Sequence, residues 1–276
     1  MSHGFFGKED CRSKEAVVER MIPKTIHYCW FGRGKLSPEI EMCIASWRKY
    51  CPDYEIKEWN EDNSPMDIAW VRDAYKHQKY AFVADYMRFW ALYSIGGIYM
   101  DTDMLLVKPL DGFMEHKCFL GREDAFNASM GIIGAEKGDD FCKKCLEHYD
   151  STAFNMVSPP IITRFITPLL HQYGLTEEDA TQRLSNGIVV YQSEWFYPIH
   201  YSEKFELTDI CHYLTPNTVG VHLWNKSWKD EIQMLAAGEY KQGFKLVKER
   251  IWRTPFLPLK YYKKVIKYML YWMLRK

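Results

Sequence analysis

The stretch Tyr80-Ala-Phe-Val-Ala-Asp-Tyr-Met-Arg-Phe-Trp-Ala-Leu-Tyr-Ser-Ile-Gly-Gly-Ile-Tyr-Met-Asp-Thr-Asp-Met-Leu-Leu-Val107 decides how this chain folds. From about Phe82 to Ile95 it is apolar almost all the way round, the mark of a helix buried inside a domain. Gly96 and Gly97 end that helix, because glycine takes the left-handed conformation that other residues resist. Ile98-Tyr99-Met100 then opens a strand. Residues two apart on a strand point the same way, so the spacing predicts Asp101 and Asp103 projecting together, with Thr102 opposite. Asp85 and Arg88, at i and i+3, share a face of the helix.

Charge is costly to bury unless it is paired or bound to something. Taken alone, each pair has an ordinary explanation: an intrahelical salt bridge for Asp85 and Arg88, a capped strand edge for the two aspartates. Both pairs inside one apolar segment point instead to a site. Two same-face carboxylates at a strand end suit a hard divalent cation, which takes oxygen ligands and often bridges to substrate phosphates.

The string Asp85-x-x-Arg88 followed by Gly96-Gly97-x-Tyr99-x-Asp101-x-Asp103 resembles the DXD signature of retaining sugar-nucleotide glycosyltransferases, in particular glycosyltransferase family 32. That family holds bacterial capsular-polysaccharide enzymes and fungal initiating mannosyltransferases, and the clostridial glucosylating toxins share the pattern. The resemblance implies an α/β fold of GT-A type, with a Rossmann-like mixed sheet, and a Mn2+ or Mg2+ cofactor. It implies that Asp103 holds the ion with Asp101; His222, at a strand end, is either a hydrogen-bonded core histidine or, with a DXD beside it, a further metal ligand. Asp101 and Asp85 would hold the ribose and donor sugar, and Arg88 the sugar or phosphate. Asp85, Arg88, Asp101 and Asp103 are therefore the catalytic candidates.

Working back toward the N-terminus, Ile22 to Phe31 is a β-branched and aromatic run, read as the first core strand. Ser37-Pro38 supplies an N-cap and a proline at the first helical position. Ile40, Cys43, Ile44 and Trp47 then form one apolar helical face. Tyr54 to Trp59 alternates as a second strand. Strand, helix, strand is a mononucleotide-type opening, whose ligands sit at the carboxyl ends of the strands. Trp30 lies at that end, where a tryptophan either packs the core or faces a ligand. Ile22 to Gly32, with His27, Trp30 and Gly32, resembles the family's IPKxIHxxWxG opening. The resemblance implies that Trp30 stacks on the donor's base, as its counterpart stacks on uracil in the toxins.

Beyond Val107, Lys117–Asp124 and Asn127–Gly134 read as strands or bulged segments. The resemblance implies a polar residue in the second of them facing the donor sugar, so Asn127 is the candidate, with Asp124 the alternative and a turn role open for both. Gly138 to Tyr149 reads as a surface helix, and Ile188–Tyr191 and Trp195–Pro198 as strands. Ser158 to Arg164 resembles the family's G-P-x-x-x-T helix start, with Ser158 or Pro159 where glycine is expected. His222, Ser227 and Trp228 match the family's H-x-x-x-x-S-W, which implies that Ser227 and Trp228 close over the diphosphate.

At 276 residues and 47% hydrophobic, the chain can bury a large core. Net charge is zero but unevenly spread. Residues 250–276 hold eight Lys and Arg and no acid, leaving 28 basic against 36 acidic residues in the remainder. That balance argues against nucleic-acid binding by the body. The eight cysteines lack a framework spacing, and Cys142-x-x-Cys145 has no second pair, so thiols rather than disulfides or zinc are expected. Neither a leader nor a run of 18 apolar residues is present, and a cytoplasmic setting is the expectation. Residues 1–20 are read as an N-terminal extension, 21–250 as the GT-A domain and 251–276 as a basic aromatic tail.

In that tail Lys260, Lys263, Lys264 and Lys267 form a stripe at i, i+3, i+4 and i+7, among Tyr261, Tyr262, Val265, Ile266, Met269, Tyr271, Trp272 and Met273. A basic amphipathic helix with interfacial aromatics reads as lying peripherally on the inner face of the cell membrane; a helix docked on the domain is the alternative. The expected function is a retaining hexosyltransfer from a nucleotide sugar (a UDP-sugar favoured, GDP-mannose next) to a glycan or lipid-linked acceptor in surface polysaccharide (capsule) synthesis. Two other classes compete. A D-x-D phosphotransferase would want Gly or Thr-Val after the motif, where Met104-Leu105-Leu106 stands. A membrane-associated carbohydrate-binding protein without catalysis would have a dispensable DXD.

Overall fold

The computed structural model describes residues 22–156, 161–203, 205–225, 231–253 and 256–274. In chain order the first half runs β1 (Thr25–Cys29), α1 (Pro38–Tyr50), β2 (Glu55–Trp59), α2 (Ala69–Lys76), α3 (Tyr80–Ile95), β3 (Gly97–Met100), β4 (Met104–Leu106), β5 (Cys118–Arg122) and β6 (Ala128–Ala135). The second half runs α4 (Asp140–Asp150), α5 (Thr163–His171), β7 (Gln182–Arg183), β8 (Ile188–Tyr191), β9 (Gly220–His222), α6 (Glu231–Ala236), α7 (Tyr240–Arg253) and α8 (Leu259–Leu274).

Seven strands form one sheet in the order β2-β1-β3-β6-β5-β8-β7, while β4 and β9 pair antiparallel in a small second sheet. In the large sheet β2, β1 and β3 run parallel, β6 is antiparallel to its neighbours β3 and β5, and β8 runs parallel to β5. This is the GT-A type mixed sheet that the sequence led us to expect. Strand alternation sends side chains to two cores. Cys118, Leu120, Ile188 and Val190 face the layer containing α3 and α4, whereas Phe119 and Val189 face the layer containing α1 and the aromatic group Phe113, Phe196 and Tyr197.

Local signals explain the elements nearest the site. Ser37 Oγ accepts from the Ile40 N–H and Pro38 opens α1, whose Ile40, Cys43, Ile44 and Trp47 are all buried. The buried helix α3 ends at Gly96 and Gly97, with φ of +79° and +117°. A side chain at Gly97 would place its Cβ 2.5 Å from the Thr25 carbonyl and 2.9 Å from His27 Nε2. His27, from the N-terminal motif, is buried in this junction. Its Nε2–H donates to the Gly96 carbonyl at 2.8 Å, and its Nδ1 accepts from Trp59 Nε1 at 3.2 Å.

Two sequence expectations change. Asp101 and Asp103 do not lie on a strand: β3 stops at Met100, and the Met104 N–H donates to the Asp101 carbonyl at 2.9 Å, closing a turn. The chain leaves the large sheet here because Met104 pairs with His222 in the small one. Trp195–Pro198 is not a strand either, since Ser193–Trp195 forms a 3-10 turn that aims Phe196 and Tyr197 into the core. The expected surface helix is α4, whose Phe141, Cys142, Cys145, Leu146 and Tyr149 are buried. The cysteines among the described residues are free thiols, and only Cys211 of them is exposed.

Candidate active site

β1 and β3 run parallel, so Trp30, one residue past β1, and Asp101, one residue past β3, both lie at the carboxyl edge of the sheet. Trp30 is half-buried there, and its Nε1–H donates to the Gly34 carbonyl at 2.6 Å. Around Asp101 three side chains converge. Asp101, Asp103 and His222 each offer a ligand atom within 4.8 Å of the others. His222 Nε2 stands 3.2 Å from Asp103 Oδ1 and 3.8 Å from Asp101 Oδ2.

The turn holds this arrangement from both sides. The Leu223 N–H donates to the Asp103 carbonyl and the Asn225 N–H to Asp103 Oδ2, each at 2.9 Å. Between them Trp224 takes φ +53°, an unusual conformation for an aromatic residue and a cost of about 1–3 kcal/mol. Its ring meets His222 at 4.1 Å, and its Nε1–H donates to the Ile199 carbonyl at 2.7 Å. On the far side, Tyr99 Oη donates to Asp101 Oδ1 at 3.0 Å and Arg88 Nη2 lies 3.4 Å from the same oxygen.

Arg88 is the hub behind Asp101. It reaches Asp85 Oδ1 at 2.8 Å and the Met130 carbonyl at 2.6 Å, and its guanidinium lies 4.6 Å from the centre of the Tyr99 ring. It is 5% exposed, so its visible work is to neutralise and orient the two aspartates. Burial pushes the Asp85 carboxyl up to about 6, against the pull of Arg88.

Burial opposes charge on His222, yet Asp103 and Asp101 outweigh it and push its pKa up to about 10. Burial likewise works to raise the Asp103 carboxyl, but the His222 charge and hydrogen bonds from His222 and the Asn225 N–H hold it below its ordinary value. In this state the imidazolium supplies the positive charge that the carboxylates demand. Two carboxylates and one imidazole, with ligand atoms this close, are a donor set that suits Mn2+ or Mg2+. Bound metal would take the place of the imidazole proton. His222 Nδ1 is buried without a hydrogen-bond partner among the described residues, so the ring is aimed by packing against Trp224 and Tyr197.

Asn127 Nδ2 donates to Asp124 at 3.0 and 3.1 Å, and Asp124 Oδ1 also accepts from the Phe126 and Asn127 N–H groups. Both candidates thus build the tight turn between β5 and β6. Ser227, Trp228, Ser158 and Pro159 lie outside the described residues.

Several site residues were not singled out from sequence. Gly131 packs so closely that a Cβ there would lie 3.0 Å from Tyr197 Oη, 3.2 Å from His222 Cδ2 and 3.3 Å from Asp101 Oδ2. Tyr197 Oη accepts from the Ile132 N–H at 3.0 Å and floors the site. A Cβ at Gly121 would meet the Tyr197 ring at 2.6 Å, and Glu123, one residue past the end of β5, is close enough to feel the charge of His222. Burial, then the charge of Asp124, pushes the Glu123 carboxyl up to about 7, against a smaller pull from His222. The available signals were weak: glycines at 121 and 131 in apolar strands mark close approach, and Leu223-Trp224-Asn225 follows the motif histidine.

Two sequence families match this chain. The glycosyltransferase sugar-binding region containing the DXD motif covers residues 37–120, and the alpha 1,4-glycosyltransferase conserved region covers residues 134–243. The first spans Asp85, Arg88, Asp101 and Asp103, and the second His222, so together they place the chain among the DXD-motif glycosyltransferases. Among curated proteins it is similar to inositol phosphoceramide mannosyltransferase 3 of Schizosaccharomyces pombe, 28% identical over 53% of this chain and 42% of that one. It is also similar to human lactosylceramide 4-alpha-galactosyltransferase, 24% identical over 68% of this chain and 52% of that one. The chain spans about half the length of these curated relatives. Among solved structures, the PaToxG glycosyltransferase matches with TM-score 0.46 and 19% identity over 55% of this chain and 69% of that one. The galactosyltransferase LgtC matches with TM-score 0.34 and 13% identity over 87% and 99%.

Proposed function

We propose that this protein is a retaining, metal-dependent hexosyltransferase that moves a sugar from a nucleotide diphosphate, a UDP-hexose in preference to GDP-mannose, to a glycan or lipid-linked acceptor. The observation that carries the reading is the convergence of Asp101, Asp103 and His222 at the carboxyl edge of the sheet, with Asp101 Oδ1 tied back by Tyr99 and Arg88. Asp101 Oδ2, Asp103 and His222 Nε2 would hold Mn2+ or Mg2+. When bound, the ion neutralises the diphosphate as it leaves.

The chain's own groups do the rest. Asp101 and Asp85 accept hydrogen bonds from ribose and sugar hydroxyls, while Arg88 fixes both carboxylates and compensates their charge. Trp30 offers a face for the base at the same strand edge. In keeping with the retaining transferases that this chain resembles, the acceptor oxygen attacks the anomeric carbon from the face the phosphate leaves. The C–O bond to phosphate breaks, and the departing phosphate oxygen takes the acceptor's proton. We place this activity in surface polysaccharide synthesis such as capsule assembly, on the cytoplasmic side of the cell membrane.

A thermal-shift panel of sugar nucleotides, each with and without Mn2+, tests the reading. A ligand at 100 times its Kd stabilises by about 2.7 kcal/mol, so one donor should stand out and only with metal. Absence of any metal-dependent stabilisation by a sugar nucleotide would overturn it.

A further inference from the structure

Helix α8 presents three distinct faces. One is docked: Tyr261 is buried against Ile232 and Leu257, Val265 and Tyr268 pack on the same group, and Trp272 meets the Phe244 ring at 5.6 Å. These positions step by i, i+4, i+7 and i+11, a single stripe. The second face is apolar and bare. Leu259 (70% exposed), Ile266 (52%), Leu270 (49%) and Met273 (49%) fall within a sector of roughly 60° on the far side of the helix from the docked stripe. The third consists of Lys260, Lys263 and Lys267, all exposed, flanking the bare apolar sector. Trp252, near the end of α7, and Phe256, three residues before α8, are also exposed, at 71% and 93%.

A helix docked by only one stripe would ordinarily carry polar residues opposite it. Here the outward side pairs a continuous apolar strip with a row of positive charge, and residues 250–276 contain no acid to neutralise it. Apolar side chains beside lysines, with tryptophan and phenylalanine at one end, match the layering of a bilayer surface: acyl boundary, anionic headgroups and interface. None of the described helices is long and apolar enough to cross a membrane. We infer that α8 is a membrane-resting surface for anionic lipid, attached to the protein by the Tyr261 stripe and to the bilayer by Leu259, Ile266, Leu270 and Met273 with Lys260, Lys263 and Lys267. This deepens the proposed membrane location by naming the surface, and vesicle binding can be read without any turnover.

The test uses the full chain and vesicles of phosphatidylcholine, with and without one third phosphatidylglycerol. Wild type should sediment with the anionic vesicles, ignore the neutral ones and come off partly as salt rises. Lys263→Glu with Lys267→Glu, and separately Ile266→Ser with Leu270→Ser, should each weaken vesicle binding about tenfold or more. Both lie off the docked stripe, so the thermal midpoint and the affinity for Mn2+ and UDP should match wild type. Failure of wild type to bind anionic vesicles overturns the inference, as does unchanged binding by both double variants. Wild type that self-associates, with Ile266→Ser/Leu270→Ser restoring a monomer and vesicle binding unaltered, would assign the face to a second copy instead. Loss of nucleotide and metal binding in wild type itself would instead sink the proposed activity and leave the surface assignment standing.

Discussion

Asp101 presents one oxygen to the protein and the other to the site, and that division is set by its neighbours. Oδ1 is held by Tyr99 and Arg88, while Oδ2 lies near His222 and Gly131. Asp103, fixed through Asn225, supplies the second carboxylate. Asp103→Asn should therefore lower metal-dependent donor hydrolysis by about a hundredfold or more while leaving the circular dichroism spectrum unchanged. Near-normal turnover in that variant would remove Asp103 from the metal set. Gly131→Ala pushes a methyl group against Tyr197 Oη, His222 Cδ2 and Asp101 Oδ2, each of which must then shift. It should cost about 1–3 kcal/mol by denaturant unfolding and weaken Mn2+ binding by titration. Glu123 makes a pH prediction. Its folded-state pKa of about 7 lies above its ordinary 4.5, so the folded protein holds the proton more tightly. Its contribution to stability is full below pH 4.5 and is lost as pH rises through 7. Glu123→Gln should flatten that part of the metal-free melting profile; an unaltered slope would place Glu123 in solvent.

At the scale of elements, the junction of α3 and β3 organises the site. Gly97 lets the chain turn between Thr25 and His27 so tightly that β3 pairs with β1 at once. Gly97→Ala meets both a positive φ and a backbone oxygen at 2.5 Å, and should cost about 3 kcal/mol or more, read as a fall in thermal midpoint. This junction was legible in the sequence because its signals are local: apolar periodicity, two glycines and a strand. The Ser37-Pro38 cap and the apolar face of α1 were legible for the same reason. The path of the chain beyond Met100 was not. Sequence alternation continues through Asp103, but Met104 is recruited by His222, more than a hundred residues later, and that pairing bends the aspartates into a turn. The two carboxylates still meet, because a turn can bring i and i+2 together as a strand does. Tyr197 is a similar case. Its aromatic run resembles a strand, whereas its burial under Gly121 and Gly131 requires a 3-10 turn and is visible only in three dimensions.

For the whole molecule, the C-terminal helices belong to the body as well as to the surface they present. Arg250, on α7, donates to Glu231 on α6 at 3.1 Å and to the His77 carbonyl at 2.9 Å, tying those helices to the chain just before α3. The two side chains are 17% and 5% exposed, so Arg250→Met leaves the Glu231 carboxylate facing a poorly solvated surround. Removing one partner of such a pair costs about 3 kcal/mol, or on the order of 5–10 °C in thermal midpoint for a chain of this size. Adding Glu231→Leu to Arg250→Met should restore most of the loss, since a well-packed apolar pair replaces a buried ion pair at little net cost. Affinity for Mn2+ and UDP should stay at the wild-type value in both variants, because Asp101, Asp103 and His222 are held by Tyr99, Arg88 and Asn225. Scanning calorimetry and metal titration on the same samples separate the outcomes. A midpoint unmoved by Arg250→Met would mean that α6 and α7 ride on the body without bearing on its stability. A fall in metal affinity alongside the midpoint would instead show that these helices help to hold the catalytic turn.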